Sequence, residues 1–165
     1  MKHSIRGVKA YVILGLIGIA AGCKPPVQDV PKDSMVQFVE LQSLRADSFL
    51  EAAAHALEHN DSLGLVFVSR DMESMALQAI DTLKRFAEKP DSTGYLGQAV
   101  SHFETVGFVG KKLFRSYLEL FQPELPDAHS ASILKMNDSL IQVWKEERRM
   151  LDSLRPVFLM KPDPT

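Results

Sequence analysis

The sequence predicts an all-α protein, an antiparallel up-down-up-down four-helix bundle. Three observations carry this expectation. Four long stretches place apolar residues every three to four positions, Asp and Ser stand at the head of each stretch, and the breaks between stretches are only a few residues long. The first feature is the period of one buried helical face. The second supplies side-chain oxygens for unpaired backbone N–H groups and a negative charge at the positive end of the helix dipole. The third leaves room only for neighbours that lie side by side and run in opposite directions.

The bundle is expected over residues 34–154. Its first helix opens at Asp33-Ser34, where Ser34 and Gln37 have the spacing of a capping box, and offers Phe38, Leu41, Phe49, Ala53, Ala56 and Leu57 as an inward row. The second opens at Asp61-Ser62 and aligns Leu65, Val68, Met72, Met75, Ala79, Leu83 and Phe86. The third opens at Asp91-Ser92 and has the clearest period, Leu96, Ala99, Phe103, Val106, Gly110, Leu113, Tyr117 and Leu120. The fourth opens between Asp127 and Ser130 and aligns Ile133, Leu140, Trp144, Leu151 and Leu154, with Asn137 and Glu147 interrupting the row. Breaks fall at His59–Asp61, Lys89–Thr93 and Gln122–Asp127. Leu63-Gly64-Leu65-Val66-Phe67-Val68 has the composition of a buried strand, with Thr105–Gly110 as its one candidate partner, but both runs continue their helical rows. Residues 155–165, with Pro156, Pro162 and Pro164, are expected to form a non-helical tail.

The amino-terminal region has a different character. Met1–Lys9 carries Lys2, Arg6 and Lys9 and no acid, and Tyr11–Ala21 is uncharged and largely apolar. That run is about half of the roughly 20 residues a membrane-crossing helix requires, and its pattern is that of a secretory signal peptide. Ala20-Ala21-Gly22 leads directly into Cys23, the one cysteine of the chain. This junction resembles the lipobox of bacterial lipoproteins, with Ala20 where that family more often has Leu. The resemblance implies cleavage of residues 1–22, a thioether-linked diacylglycerol on Cys23 and acylation of the new amino terminus. Several acyl chains, at about 0.8 kcal/mol per buried CH₂, hold a domain stably on a bilayer where a single chain does not.

After Cys23, residues 24–33 include Pro25, Pro26 and Pro31 and read as an extended spacer. Lys24 after the cysteine is similar to the sorting residue of outer-membrane lipoproteins, which implies a domain facing the periplasm. In layout the chain is similar to four-helix lipoproteins of Gram-negative, bacteroidete-type bacteria, a likeness that supplies no activity.

Charge and composition exclude several function classes. The chain has 165 residues, 19 basic against 21 acidic, and loss of residues 1–22 leaves 16 basic residues. A mildly acidic domain lacks the basic footprint of nucleic-acid binding. One cysteine excludes an intrachain disulfide framework and a four-cysteine zinc site. No cofactor is expected: Cys-x-x-Cys-His is absent, and no His has Glu three positions before it, as di-iron bundles require.

Two features still resemble chemistry. His55 and His59 are four apart, one turn beyond Glu51, a spacing that two ligands of a zinc or copper ion can share; the plainer reading is a pair of solvated histidines at a helix end, so no metal site is assigned. Val106-Gly107-Phe108-Val109-Gly110-Lys111-Lys112 lacks the first Gly and the Ser/Thr of a phosphate loop. Gly110, small in a row of large residues, leaves volume for helix contact or for a small ligand. Glu146-Glu147-Arg148-Arg149 and the Asp81/Arg85 pair read as solvated charge, and the methionines fit core positions. No catalytic residues are assigned, and the expected role is a non-catalytic protein-binding or structural module of the cell envelope. The alternative is a bundle that binds a small ligand or metal.

Overall fold

The computed structural model describes residues 30–87 and 91–161, so the predicted signal peptide, Cys23 and most of the predicted spacer lie outside the described residues. Four α-helices account for nearly all of them: α1 (Lys32–Glu58), α2 (Ser62–Phe86), α3 (Tyr95–Glu119) and α4 (Asp127–Met160). Among the described residues there is no strand. Leu63–Val68 forms the first turns of α2 because Asp61 caps it, its Oδ1 accepting from the Gly64 N–H at 2.8 Å.

The helices stop for local reasons. Asn60, in the left-handed region at φ 53°, reverses the chain between α1 and α2. Gly94 at φ 76° does the same before α3, a conformation that costs a residue with a Cβ. The Asp91 carboxylate organises that turn by accepting from the Thr93 hydroxyl at 2.6 Å, the Thr93 N–H at 2.9 Å and the Leu96 N–H at 2.7 Å. Burial pushes the Asp91 pKa up, but these hydrogen bonds outweigh it and hold the group below the ordinary carboxylate value.

Four boundaries differ from the sequence expectation, one of them at α3, which starts at Tyr95 behind the left-handed Gly94 and not at Asp91-Ser92. α1 starts at Lys32, two residues early, and the Ser34–Gln37 capping box is replaced by Pro31, whose carbonyl accepts from the N–H groups of Ser34 and Met35. Pro126 plays the same part for His129 and Ser130 at the head of α4. A proline held in extended conformation ends the preceding chain and leaves its carbonyl aimed at the first turn. The largest difference is at the other end of α4, which runs through Pro156 to Met160 where a non-helical tail was expected. An interior proline costs about 3 kcal/mol. Here the following turn is docked: Phe158 is buried and stacks on Tyr95 with ring centroids 4.7 Å apart.

Helix contacts occur in reverse order along each neighbouring pair. Phe38 meets Phe86 while Ala56 lies beside Gly64; Ser69 bonds to Gly110 while Ala76 lies beside Gly107. Ser116 bonds to Asn137 while Tyr95 stacks on Phe158. The longest seams join α3 to α2 and to α4, and α1 lies chiefly on α2. Leu65, Met72, Leu83, Phe103, Val106 and Leu151 form the centre of the core. The α2 row and the start of the α3 row are those read from sequence, whereas α1 presents Met35, Val36, Val39, Ser43, Ala46, Ala53 and Ala56 and leaves Leu41 exposed. Small residues at Ser43, Ala46, Ala53 and Ala56 let α1 sit close to its neighbours.

Candidate functional site

Cys23, the predicted lipid-attachment residue, lies outside the described residues. Within them, the chemistry-bearing side chains fall in five places: the buried Ser43–His102 pair, the buried Ser116–Asn137 pair between α3 and α4, a histidine pair at the end of α1, an ionic latch between α1 and α4, and exposed apolar faces on α2 and α4.

The first buried pair is Ser43 on α1 and His102 on α3, with Oγ and Nε2 3.3 Å apart and both side chains closed to solvent. The alignment follows from helix geometry, since His102 is three residues after Ala99 and four before Val106, on the inward face of α3. Its Nδ1 has no hydrogen-bond partner. Burial, helped by the positive Arg148 nearby, pushes the His102 pKa down to about 4, so the ring is neutral at pH 7. A serine beside an imidazole is the start of a nucleophile–base pair, but among the described residues no carboxylate meets the far nitrogen, and neither side chain reaches solvent. It is a polar contact in the core. Sequence reading missed it, although its place between Ala99 and Val106 was signal enough.

His55 and His59 are exposed and their rings stack, centroids 4.1 Å apart and planes 22° from parallel. His59 Nδ1 lies 2.9 Å from the His55 carbonyl oxygen. Nitrogen lone pairs lie in the ring planes, so two nearly parallel rings do not aim at a common ion as they stand. Among the described residues no group of three or more His, Cys, Asp or Glu is placed to hold a metal; Glu51 does not join the pair.

The room expected over Gly110 is filled. A Cβ added there would lie 3.1 Å from Met72 Cγ and 3.2 Å from its Sδ, and the Gly110 carbonyl accepts from Ser69 Oγ at 3.0 Å. Of the two readings offered for Gly110, helix contact is the one formed: glycine allows α2 and α3 to approach closely, and Met72 takes the volume that a small ligand would need. Gly107 does likewise against Ala76, at 3.3 Å.

The ionic latch joins the start of α1 to the end of α4. Arg155 pairs with Glu40, and Lys32 Nζ donates to the Lys161 carbonyl at 2.6 Å while lying 5.2 Å from the Phe158 ring centroid. One turn pair further along, Arg148 faces Asp47. Burial raises the Asp47 pKa more than Arg148 lowers it, and Glu51 adds to the rise. The charged pairs read from sequence are also present, Arg85 to Asp81 at 3.2 Å and Arg149 to Glu146 at 2.5 Å, both on the solvent side.

The exposed apolar side chains are not scattered evenly. Leu63, Val66 and Phe67 cluster on the first two turns of α2, and Met136, Val143, Met150 and Val157 recur every seventh residue along α4. Isolated exposed apolar residues are ordinary, but grouped ones mark contact surfaces. Among the described residues no helix is long and apolar enough to cross a membrane.

No family model matches the chain, and neither does any curated protein or solved structure.

Proposed function

We propose that this protein is a lipid-anchored lipoprotein of the cell envelope whose helical domain is a non-catalytic module for binding another envelope protein. The observation that carries the reading is the position of Cys23, set between the uncharged Tyr11–Ala21 run with its basic leader and a proline-rich spacer. The spacer joins α1 at its first turn, beside the end of α4, so the hairpin between α1 and α2 lies at the far pole of the bundle. That pole carries the exposed Leu63, Val66 and Phe67 cluster, a surface suited to a partner held away from the bilayer. The Ser43–His102 pair, closed to solvent, offers no competing catalytic centre. Outer-membrane attachment with the domain in the periplasm is the location that fits Lys24.

The test combines the anchor and the partner. Cells producing the full chain are fed an alkyne fatty acid, fractionated, and cross-linked before capture. The expected result is label on the wild-type chain in the membrane fraction, its loss with Cys23→Ala, and a cross-linked envelope protein that is lost with Phe67→Asp. A wild-type chain recovered unlabelled in the soluble fraction overturns the anchor; capture unchanged by Phe67→Asp overturns the binding surface.

A further inference from the structure

The last turn of α4 presents apolar side chains on every side. Beyond Arg155 the helix reads Pro156-Val157-Phe158-Leu159-Met160, and the core takes only Phe158; Val157, Leu159 and Met160 are 51, 40 and 82% exposed. Neighbouring helix ends at this pole carry polar residues at the same level, Asp33 and Ser34 in the first turn of α1 and Lys84 and Arg85 in the last turn of α2. The α4 turn is the apolar point of the pole. Exposed apolar residues in a run at a helix end mark a surface that something covers.

The position of this turn selects the occupant. Lys32 Nζ donates to the Lys161 carbonyl at 2.6 Å, so the turn sits beside the residue that opens α1. Val30, just ahead of it, already packs against the core. The chain from Cys23 to Val30 reaches no more than about 25 Å even when fully stretched, at about 3.5 Å per residue. With Cys23 acylated, the bilayer is the surface held permanently within reach of Leu159 and Met160. A contact too weak to hold a free domain becomes intramolecular under such a tether. We infer that the last turn of α4 docks on the bilayer to which the chain is anchored, with Leu159 and Met160 entering the headgroup–acyl boundary. This rests on the anchor proposed at Cys23. Among the described residues, the ionisable groups of the pole come from all four helices and the turn before α3: Lys32 and Asp33, Lys84 with the Arg85–Asp81 pair, Asp91 and Lys161. Neither sign prevails. The contact is therefore made by apolar burial, and zwitterionic lipid suffices for it. Its consequence is orientation, because a bundle standing on this pole carries Leu63, Val66 and Phe67 away from the membrane.

The test uses the full chain, purified from membranes and reconstituted in phosphatidylcholine vesicles in which a fraction of the lipid carries a nitroxide on its acyl chain. Acylation leaves Cys23 no free thiol, so an introduced cysteine alone takes a maleimide fluorophore. Lys161→Cys places the label beside the apolar turn and Glu124→Cys places it at the opposite pole, both at exposed positions. The expected result is quenching of the first label by about fivefold or more over the second, because an inserted turn lies about 5–10 Å into the boundary and the far pole roughly 40 Å off. Adding Leu159→Ser and Met160→Ser should remove most of that difference; both side chains are exposed, and circular dichroism with a melting curve checks that the fold is kept. A difference unchanged by the two serines overturns insertion, since the tether alone then accounts for it. Equal quenching of both labels on chains that float with the vesicles overturns the docking and leaves the anchor standing. Fluorophore taken up at Cys23 by the parent chain overturns the anchor, and the docking falls with it. A Lys161→Cys label shielded from aqueous iodide but untouched by the nitroxide lipid means that protein covers the turn, and overturns the bilayer as its occupant.

Discussion

Arg155, near the end of α4, closes onto Glu40 in α1 across 115 positions of sequence. The pair is the main polar tie between the first and last helices, which otherwise touch little. It also sets Tyr95, buried beneath it, in an acidic neighbourhood: burial first, then Glu40, push the Tyr95 pKa up to about 12. Both charged side chains are about two-fifths exposed, so solvent screens the pair. Arg155→Ala and Glu40→Ala should each cost about 1 kcal/mol or less by urea denaturation, and the double variant should cost less than the sum, with the coupling vanishing in high salt.

His102 makes stability depend on pH. In the unfolded chain its imidazole takes a proton near pH 6.5, whereas in the fold it does so only near pH 4. The unfolded state therefore binds more protons between those values, and stability falls as pH drops through that window. The contribution is complete above about pH 7.5 and amounts to at most about 3 kcal/mol by the bottom of the range. Urea midpoints of wild type and His102→Gln measured from pH 4 to 8 should converge as pH falls. Parallel profiles would remove His102 as the cause.

Two glycines of the third helix, Gly97 and Gly110, should respond in opposite directions to an added side chain. Gly97 has nothing within 4 Å of an added Cβ, so Gly97→Ala should stabilise by about 0.5–1 kcal/mol through helix propensity and a less free unfolded chain. Gly110→Leu should destabilise by about 2 kcal/mol or more, since it must push α2 away at Met72. Thermal melts of the two variants settle the contrast.

Phe158 holds the last turns of α4 against the bundle. Phe158→Ala removes a buried ring and its stack on Tyr95, and should cost about 3–4 kcal/mol. Hydrogen exchange should then show the amides after Pro156 opening before the rest of α4, since the docking that offsets the proline is gone.

The parts of this fold that were legible in sequence are those with one dominant cause. The break at Asp61 follows from capping, and the row of α2 and the start of the α3 row follow from large apolar residues at helical spacing; the break before α3 was read as well, but not the left-handed Gly94 that moves the helix start to Tyr95. The α1 row was read in part: Ala53 and Ala56 are buried and Phe38, Phe49 and Leu57 pack on the core, but Leu41 is exposed, and Met35, Val36, Val39, Ser43 and Ala46 were missed because the small residues among them carry little apolar signal. The end of α4 was misread because Pro156 stops a helix in isolation, and only the docking of Phe158 on a residue far away in the chain reverses that. The same limit hid the chemistry. His102 looked like a titratable group with no motif, and its meaning comes from Ser43 on another helix. Gly110 left helix contact and ligand space both open in the sequence, because Met72, the side chain that decides for helix contact, is 38 residues earlier in the chain.

The tie from Lys32 to Lys161 has a practical corollary for anyone attaching cargo to this molecule. It gathers Lys32 and Lys161 at one pole, so a fluorophore or affinity handle joined directly behind Lys161 competes for room with whatever is joined ahead of α1. A handle inserted between Gln122 and Leu125, in the turn joining α3 to α4, sits some 40 Å away at about 1.5 Å per helical residue, clear of that pole.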